Sequence, residues 1–199
     1  MSSDPPMTEP RTPKTIVTLD VNGADFEVAI RPSDTLALAL RDQCHMTGTK
    51  IGCDMGTCGC CTVLLDGKPH LSCLTLALEA EGRAITTIEG MVEDGELHPI
   101  QEAFATCGGS QCGFCTPGFV MTSVALLAER PAPSWEEIKS AISGNLCRCT
   151  GYVKIIDAIE HAAGEMRDAS SALNEPPASG ETHDAADVQD RRQPAAASR

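Results

Sequence analysis

Cysteines are the residues of this chain whose type and spacing could do chemistry. Eleven are present, and most of them stand in tight groups. In the first group Cys53, Cys58 and Cys61 form a C-x4-C-x2-C run, and Cys73 follows at a distance. This is the ligand spacing of plant-type [2Fe–2S] proteins, in which each iron takes two thiolates beside two bridging sulfides. We therefore predict that these four thiols hold one [2Fe–2S] cluster.

Cys60 is the ambiguous thiol of this group, because a C-x4-C-x1-C run through Cys60 is also possible. We prefer Cys61 because its spacing matches the plant-type motif, and we expect Cys60 to be a small buried side chain. Two other interpretations stay open on spacing alone. One is a zinc site, although zinc more often takes paired C-x2-C or Cys/His sets, and the other is a group of unligated thiols.

A second group joins a C-x2-C pair, Cys112 and Cys115, to a C-x1-C pair, Cys147 and Cys149. Each pair precedes a predicted helix, whose positive N-terminal end stabilises thiolates and an anionic cluster. Four thiols at the ends of two facing helices would form a closed cage. Spacing alone admits either a zinc ion or an iron–sulfur cluster here.

Composition and charge indicate which partners and which cellular compartment to expect for these thiols. The chain has 199 residues and a formal net charge of −13, and such a surface repels nucleic acids but suits docking on a protein partner. No segment reaches the roughly 18 uninterrupted apolar residues of a membrane span. The N-terminus has neither an apolar signal core nor a twin-arginine motif, so we expect a cytoplasmic protein. Reducing conditions there favour metal ligation over disulfides.

The first half of the chain is predicted to be a mixed α/β unit. Two hairpins are expected around the Asn-Gly and Asp-Gly dipeptides that begin at residues 22 and 66, since both are strong tight-turn signals. Between them lies a predicted helix over Thr35–Gln43, capped by Ser33 or Asp34. The predicted strands are Thr15–Val21, Phe26–Ile30, Thr62–Leu65, Lys68–Leu71 and Ala84–Ile88. This order predicts a small sheet that grasps one helix.

The second half is predicted to be helical. Helices are expected over Pro99–Cys107, over Pro117–Glu129 with Thr116 as N-cap, from the capping box at Ser134 to Gly144, and over Tyr152–Ala163. Four short helices favour a bundle. The predicted organisation is a disordered leader at 1–14, domains at 15–82 and 83–167, and a disordered tail at 168–199. The tail has too few large apolar residues to offset the entropy of ordering it.

Together the two cysteine groups, GCDMGTCGCC and QCGFCTPG…GNLCRCTGY, resemble the iron–sulfur subunit of the molybdenum hydroxylases. This family includes xanthine dehydrogenase, aldehyde oxidoreductase and carbon monoxide dehydrogenase, and the resemblance covers about residues 15–165. It implies an α+β fold, with an N-terminal β-grasp plant-type ferredoxin domain followed by an all-α four-helix bundle [2Fe–2S] domain. It also implies that the second thiol set, Cys112, Cys115, Cys147 and Cys149, holds a second [2Fe–2S] cluster. Cys60 departs from the family pattern, where a small residue, often Ala, is usual.

The resemblance further implies a function and partners. The chain would be an electron-transfer subunit with no catalytic residue or substrate site of its own. It would pair with a large molybdopterin-binding subunit and a medium FAD-binding subunit, as a heterotrimer or a dimer of heterotrimers. Single electrons would pass from a molybdopterin, in a dinucleotide form, through the second cluster and then the first, to FAD or another acceptor. Gln111 and Cys149 would lie near the pterin, and a turn-capping role is the alternative for Gln111.

Two functions of other classes remain as alternatives. One is a free-standing two-cluster ferredoxin, which the acidic surface alone would suit, and the other is a zinc-stabilised structural module. The five histidines show no metal-ligand spacing, and no Cys-x-His pairing supports a Rieske centre. Metal content and co-purifying chains discriminate among the three functions.

Overall fold

A mixed five-stranded sheet and one helix form the first half of the protein. The computed structural model describes residues 13–92 and 94–174. The strands and the helix are β1 (Thr15–Val21), β2 (Ala24–Ile30), α1 (Leu36–Asp42), β3 (Thr62–Leu65), β4 (Lys68–Leu71) and β5 (Ala84–Thr86). The sheet order is β2-β1-β5-β3-β4, with β1 and β5 parallel and the other neighbours antiparallel. The predicted combination of sheet and helix is confirmed.

Both predicted hairpins close through two successive residues with positive φ. Asn22 and Gly23 have φ of 56° and 77°, and Asp66 and Gly67 have φ of 51° and 76°. Positive φ at both central residues is the signature of the type I′ turn, whose twist matches that of the paired strands. These turns set the register of β1 with β2 and of β3 with β4.

Helix α1 is capped by Thr35, so the predicted caps Ser33 and Asp34 were wrong. The Thr35 hydroxyl accepts the Leu38 N–H at 3.4 Å. Asp34 is engaged elsewhere, because its carboxylate accepts the Arg31 N–H at 2.8 Å in the turn that leads into the helix.

Helices make up most of the second half, as predicted. They are α2 (Pro99–Thr106), α3 (Thr116–Glu129), α4 (Trp135–Ala141) and α5 (Val153–Asn174). Together with α1 of the first half, the described residues contain five α-helices. Both α2 and α4 pack against α3 and α5, around a core that includes Phe104, Phe119, Ile138 and Ile155. None of the helices in the described ranges is long and apolar enough to cross a bilayer.

The cap of α3 and the end of α5 differ from their predictions. Thr116 is not the N-cap of α3 but its first residue, and its hydroxyl donates to Ser110 Oγ at 3.0 Å. Helix α5 continues past Ala163 to Asn174, so residues 168–174 of the predicted disordered tail are helical. Met166 still packs against the helical core, which extends the helix beyond its strongly periodic part. The remaining leader and tail predictions, at 1–12 and 175–199, fall outside the described residues.

Strand β3 and helix α3 join the two halves. All four residues of β3 are buried because the sheet is covered on both faces. Val63 and Leu65 belong to the core beneath α1, whereas Leu64 packs with Met121 and Ala125 of α3. This contact brings the loop before β3, which carries most of the first cysteine group, close to the start of α3, which follows the C-x2-C pair of the second.

Candidate metal centres

The loop between α1 and β3 supplies three of the four thiols of the first set. Cys53 and Cys58 are half-buried on this loop, whereas Cys61 at its end and Cys73 after β4 are buried. The loop passes through a φ of +69° at Gly59, which a glycine adopts without strain. The structure thus places the four predicted thiols on one loop and on the strand end beside it.

Backbone amides surround the sulfur of Cys53. Thr57 and Cys58 donate their N–H groups to Cys53 Sγ at 3.3 and 3.4 Å. Together with the Met55 amide, which contributes most, they lower the pKa of Cys53 to about 7. N–H groups directed at a sulfur stabilise a thiolate, and in iron–sulfur proteins they offset the negative charge of the cluster.

Cys61 and Cys73 form a deeper pair. Their side chains are hydrogen-bonded to each other, and burial is the main reason that the pKa of Cys61 rises to about 11. Ser72 ties the end of β4 to the loop, because its N–H and its hydroxyl both donate to the Cys61 carbonyl oxygen, at 3.3 and 2.6 Å. Cys73 is thereby held next to the loop as its fourth thiol.

Cys60 is buried beside Cys58 and not part of the deeper pair. Its thiol donates to the Cys58 carbonyl oxygen at 3.8 Å and is hydrogen-bonded to the Cys58 side chain. Burial is the largest cause of a pKa of about 12 for Cys60, and the nearby Cys115 thiol of the second set adds to it. Cys60 therefore lies on the side of the loop that approaches the second set.

The second set is assembled from the two segments that precede α3 and α5. Cys112 and Cys149 place their sulfurs 3.6 Å apart and are exposed, whereas Cys115 and Cys147 are half-buried and hydrogen-bonded to each other. The Phe114 amide is the main cause of a lowered pKa at Cys112, and burial raises the pKa of Cys115 to about 12. The structure brings all four predicted thiols together, with Cys115 directly before α3.

Thr150 directs two hydrogen bonds at the sulfur of Cys147. Its hydroxyl donates at 3.1 Å and its N–H at 3.4 Å. The hydroxyl is oriented because its oxygen accepts the Tyr152 N–H at 3.2 Å, and the Tyr152 phenol oxygen in turn accepts the Cys147 N–H at 3.0 Å. Burial by itself raises the pKa of Cys147, but the hydrogen bonds, first of all those from Thr150, outweigh it and lower the pKa overall.

The donors of both centres fit a two-iron core. Each set contains only thiols, and these lie as two neighbouring pairs. A [2Fe–2S] cluster needs this arrangement, because each of its irons binds two thiolates. The donor chemistry therefore fits a cluster held by two pairs of thiols.

Gln111 is exposed directly before Cys112, on the surface that also exposes Cys149. Two further residues, Thr150 and Asn145, were not predicted from the sequence. Thr150 contacts Cys147, and Asn145 hydrogen-bonds across to the first cysteine loop. The signal that was available for both is their position next to cysteines within the GNLCRCTGY run.

Two family models match this chain in succession. One is described as a 2Fe-2S iron-sulfur cluster binding domain and matches residues 19–87, and the other, a [2Fe-2S] binding domain, matches residues 87–160. The nicotine 6-hydroxylase small subunit of Paenarthrobacter nicotinovorans is 48% identical over 150 residues, which are 75% of this chain and 90% of that protein.

Two solved structures resemble the fold closely. A chain of quinoline 2-oxidoreductase from Pseudomonas putida 86 is 46% identical with a TM-score of 0.75, and the match covers 78% of this chain and 97% of that one. The aldehyde oxidoreductase from Desulfovibrio desulfuricans is 43% identical with a TM-score of 0.74, and the match covers 77% of this chain and 17% of the larger one.

Proposed function

This chain belongs to the iron–sulfur subunit family of the molybdenum hydroxylases, and we propose that its clustered thiols ligate the two [2Fe–2S] clusters through which it transfers electrons. It acts as the electron-transfer subunit of an oxidoreductase complex. The observation that carries the ligand proposal is the arrangement of eight thiols as four pairs. Two of these pairs fall within each matched [2Fe–2S] domain.

Each thiol pair serves one iron in our proposal. The pairs are Cys53 with Cys58 and Cys61 with Cys73 in the first centre, and Cys112 with Cys149 and Cys115 with Cys147 in the second. When bound, each cluster supplies a one-electron redox centre. Ligation would require thiolates, and bound iron would favour their deprotonation against the burial that raises the pKa of Cys61 and Cys115.

The second centre faces the molybdenum-containing partner in this proposal, and the first faces the electron acceptor. In support, Cys112, Cys149 and Gln111 are all exposed residues, so a partner can cover them. The Gln111 amide offers both a donor and an acceptor to a pterin heterocycle. The partners are a large subunit that binds a dinucleotide form of molybdopterin and a medium FAD-binding subunit, as a heterotrimer or a dimer of heterotrimers. The substrate is bound by the large subunit.

We further propose that the two halves are a β-grasp ferredoxin domain and a four-helix bundle, with the boundary near residue 83. The sheet order around α1 supports the first, and the mutual packing of α2, α3, α4 and α5 supports the second. The two family models adjoin at residue 87, close to this boundary. The cytoplasmic location stays a prediction from the sequence.

Metal analysis and EPR of the complex test the function. Purified with its partners, the chain should contain four iron atoms and four acid-labile sulfides, two of each per cluster, and show two distinct [2Fe–2S] signals after dithionite reduction. Zinc without iron would contradict the proposal in favour of a structural module. A chain that carries both clusters but purifies from its native source without any large subunit would instead be a free-standing ferredoxin.

Replacing Thr150 by valine should make the second cluster harder to reduce. Valine has the shape of threonine but lacks the hydroxyl that donates to Cys147 Sγ at 3.1 Å, and a lost donor disfavours the more negative, reduced cluster. We expect the reduction potential to fall by tens of millivolts, where about 59 mV is a tenfold change in a one-electron equilibrium. An EPR-monitored redox titration measures it.

Thr150→Ser is the matched control, since it keeps the hydroxyl and should keep the potential of the second cluster. The first cluster should titrate unchanged in both variants. A second-cluster potential that is the same in Thr150→Val as in the wild type would show that this hydrogen bond does not influence the cluster.

A further inference from the structure

Backbone contacts join the two thiol sets directly. The Leu146 N–H donates to the Cys58 carbonyl oxygen at 2.9 Å. Because Leu146 precedes Cys147, one hydrogen bond connects the chain beside a thiol of the second set to a thiol-bearing residue of the first. The Phe114 ring, between the thiols of the C-x2-C pair, also packs close to Gly52 at the start of the first cysteine loop.

Asn145 connects the segments that carry the two thiol sets, and this residue is only 4% exposed. Its Nδ2 donates to the Gly59 carbonyl oxygen at 3.0 Å, and its Oδ1 accepts the Thr122 hydroxyl at 3.0 Å. An amide is suited to this place because it offers a donor and an acceptor side by side. One buried side chain therefore ties α3 and the segment before Cys147 to the first cysteine loop.

The fit around this side chain leaves little room for change. A Cβ on Gly59 would lie 2.5 Å from the Gly144 carbonyl oxygen and 2.6 Å from Asn145 Nδ2. A Cβ on Gly118, at the start of α3, would meet the Gly59 carbonyl oxygen. The first cysteine loop is thus in close backbone contact with the segment before Cys147 and with the start of α3, and the Asn145 amide hydrogen-bonds across this contact.

We propose that Asn145 is a positioning residue for electron exchange between the two clusters, an inference that rests on the proposed function. One electron would pass from a cluster held by the second thiol set, which would be oxidised, to one held by the first, which would be reduced, and no atom would be transferred. The rate of such a step falls steeply with the separation of the centres and depends on the bonded contacts between them. By holding Gly59, Asn145 keeps the neighbouring Cys58 carbonyl at hydrogen-bonding distance from Leu146.

The test compares Asn145→Ala with the wild type in the purified complex. Both EPR signals should keep their integrated intensity after dithionite reduction, whereas the magnetic splitting between the two reduced clusters should change. After laser-flash photoreduction with 5-deazaflavin, the electron should equilibrate between the clusters at least about tenfold more slowly, as expected of a small misplacement at a functional contact. This readout requires neither the substrate nor turnover.

Ser123→Ala is the matched control, because Ser123 is a fully buried residue of α3 whose hydroxyl donates within its own helix, to the Phe119 carbonyl oxygen at 2.7 Å. It should equilibrate within about twofold of the wild type, well inside the change expected for a misplaced contact. Equally fast equilibration in Asn145→Ala would overturn the inference.

If Asn145→Ala does not retain both EPR signals, the rate of electron equilibration is measured in Thr122→Val instead. It removes the donor that orients the amide but leaves Asn145 itself. Slowing of more than about twofold supports the inference, and a smaller change overturns it. A wild-type complex with fewer than two [2Fe–2S] signals would instead contradict the proposed function, whatever the variants show.

Discussion

Replacing Cys115 by serine should erase one of the two [2Fe–2S] signals and reduce turnover of the complex by more than about 100-fold. Cys115 pairs with Cys147 and lies half-buried directly before α3, where no neighbouring thiol stands in for it within C-x2-C spacing. A serine oxygen is a poorer iron–sulfur ligand than a soft thiolate. Loss of a ligand should exceed the 10- to 100-fold effect of losing a residue that only supports one.

The signal of the first cluster should persist in Cys115→Ser, because all four thiols of that set stay in place. EPR of the dithionite-reduced complex measures both signals, and steady-state reduction of an artificial acceptor measures turnover. Survival of both signals would contradict the assignment of the second thiol set.

Cys60→Ala is a demanding control for this experiment. Burial is the first cause of a pKa of about 12 in both Cys60 and Cys115, so the pKa does not distinguish a ligand from a bystander. Pairing and spacing do, because Cys115 is hydrogen-bonded to Cys147 of its own set. Cys60 bonds to Cys58, whose partner in our proposal is Cys53, and it lies outside the C-x4-C-x2-C run. Cys60→Ala should therefore keep both signals and full turnover. Loss of the first-cluster signal would show that Cys60, and not Cys61, is the ligand.

The two thiol sets differed in how far spacing could predict them. For the first, the C-x4-C-x2-C run favoured a [2Fe–2S] cluster over zinc, because three of its thiols share one loop and Cys73 follows the adjacent strand. The second is divided between segments that precede α3 and α5, and spacing within each segment is compatible with zinc as well. Only the fold shows that Cys112 pairs with Cys149 and Cys115 with Cys147.

Local structure was predictable where one strong signal acted alone. The Asn-Gly and Asp-Gly turns and the Ser134 capping box had no competitor, and all are present. At the start of α1 more than one side chain was available as the N-cap. Asp34 accepts the Arg31 N–H instead, and Thr35 caps the helix. Asn145 could not be predicted in this way, because its partner Gly59 lies 86 residues away.

Gly118→Ala should destabilise the protein although alanine is the better helix former. In an open position of a helix this change stabilises by up to about 1 kcal/mol. At Gly118 the new Cβ would strike the Gly59 carbonyl oxygen and lie 3.0 Å from Cys60 Cα, and neither backbone atom can rotate away. Overpacking of this kind typically costs about 1–3 kcal/mol, so the clash should outweigh the helix propensity.

Gly164→Ala is the matched control, and it should stabilise the protein instead of destabilising it. Gly164 lies within α5, and among the described residues a Cβ there would have nothing within 4 Å. The urea midpoint of unfolding of Gly164→Ala should rise above that of the wild type, whereas the midpoint of Gly118→Ala should fall. Far-UV circular dichroism at equal iron content measures both. Since the two variants make the same chemical change, the difference between their midpoints reports the contact between α3 and the first cysteine loop. A midpoint that rose in both variants would mean that Gly118 does not pack against this loop. The Asn145 hydrogen bonds would then be left without the backbone contact between α3 and the loop beside them.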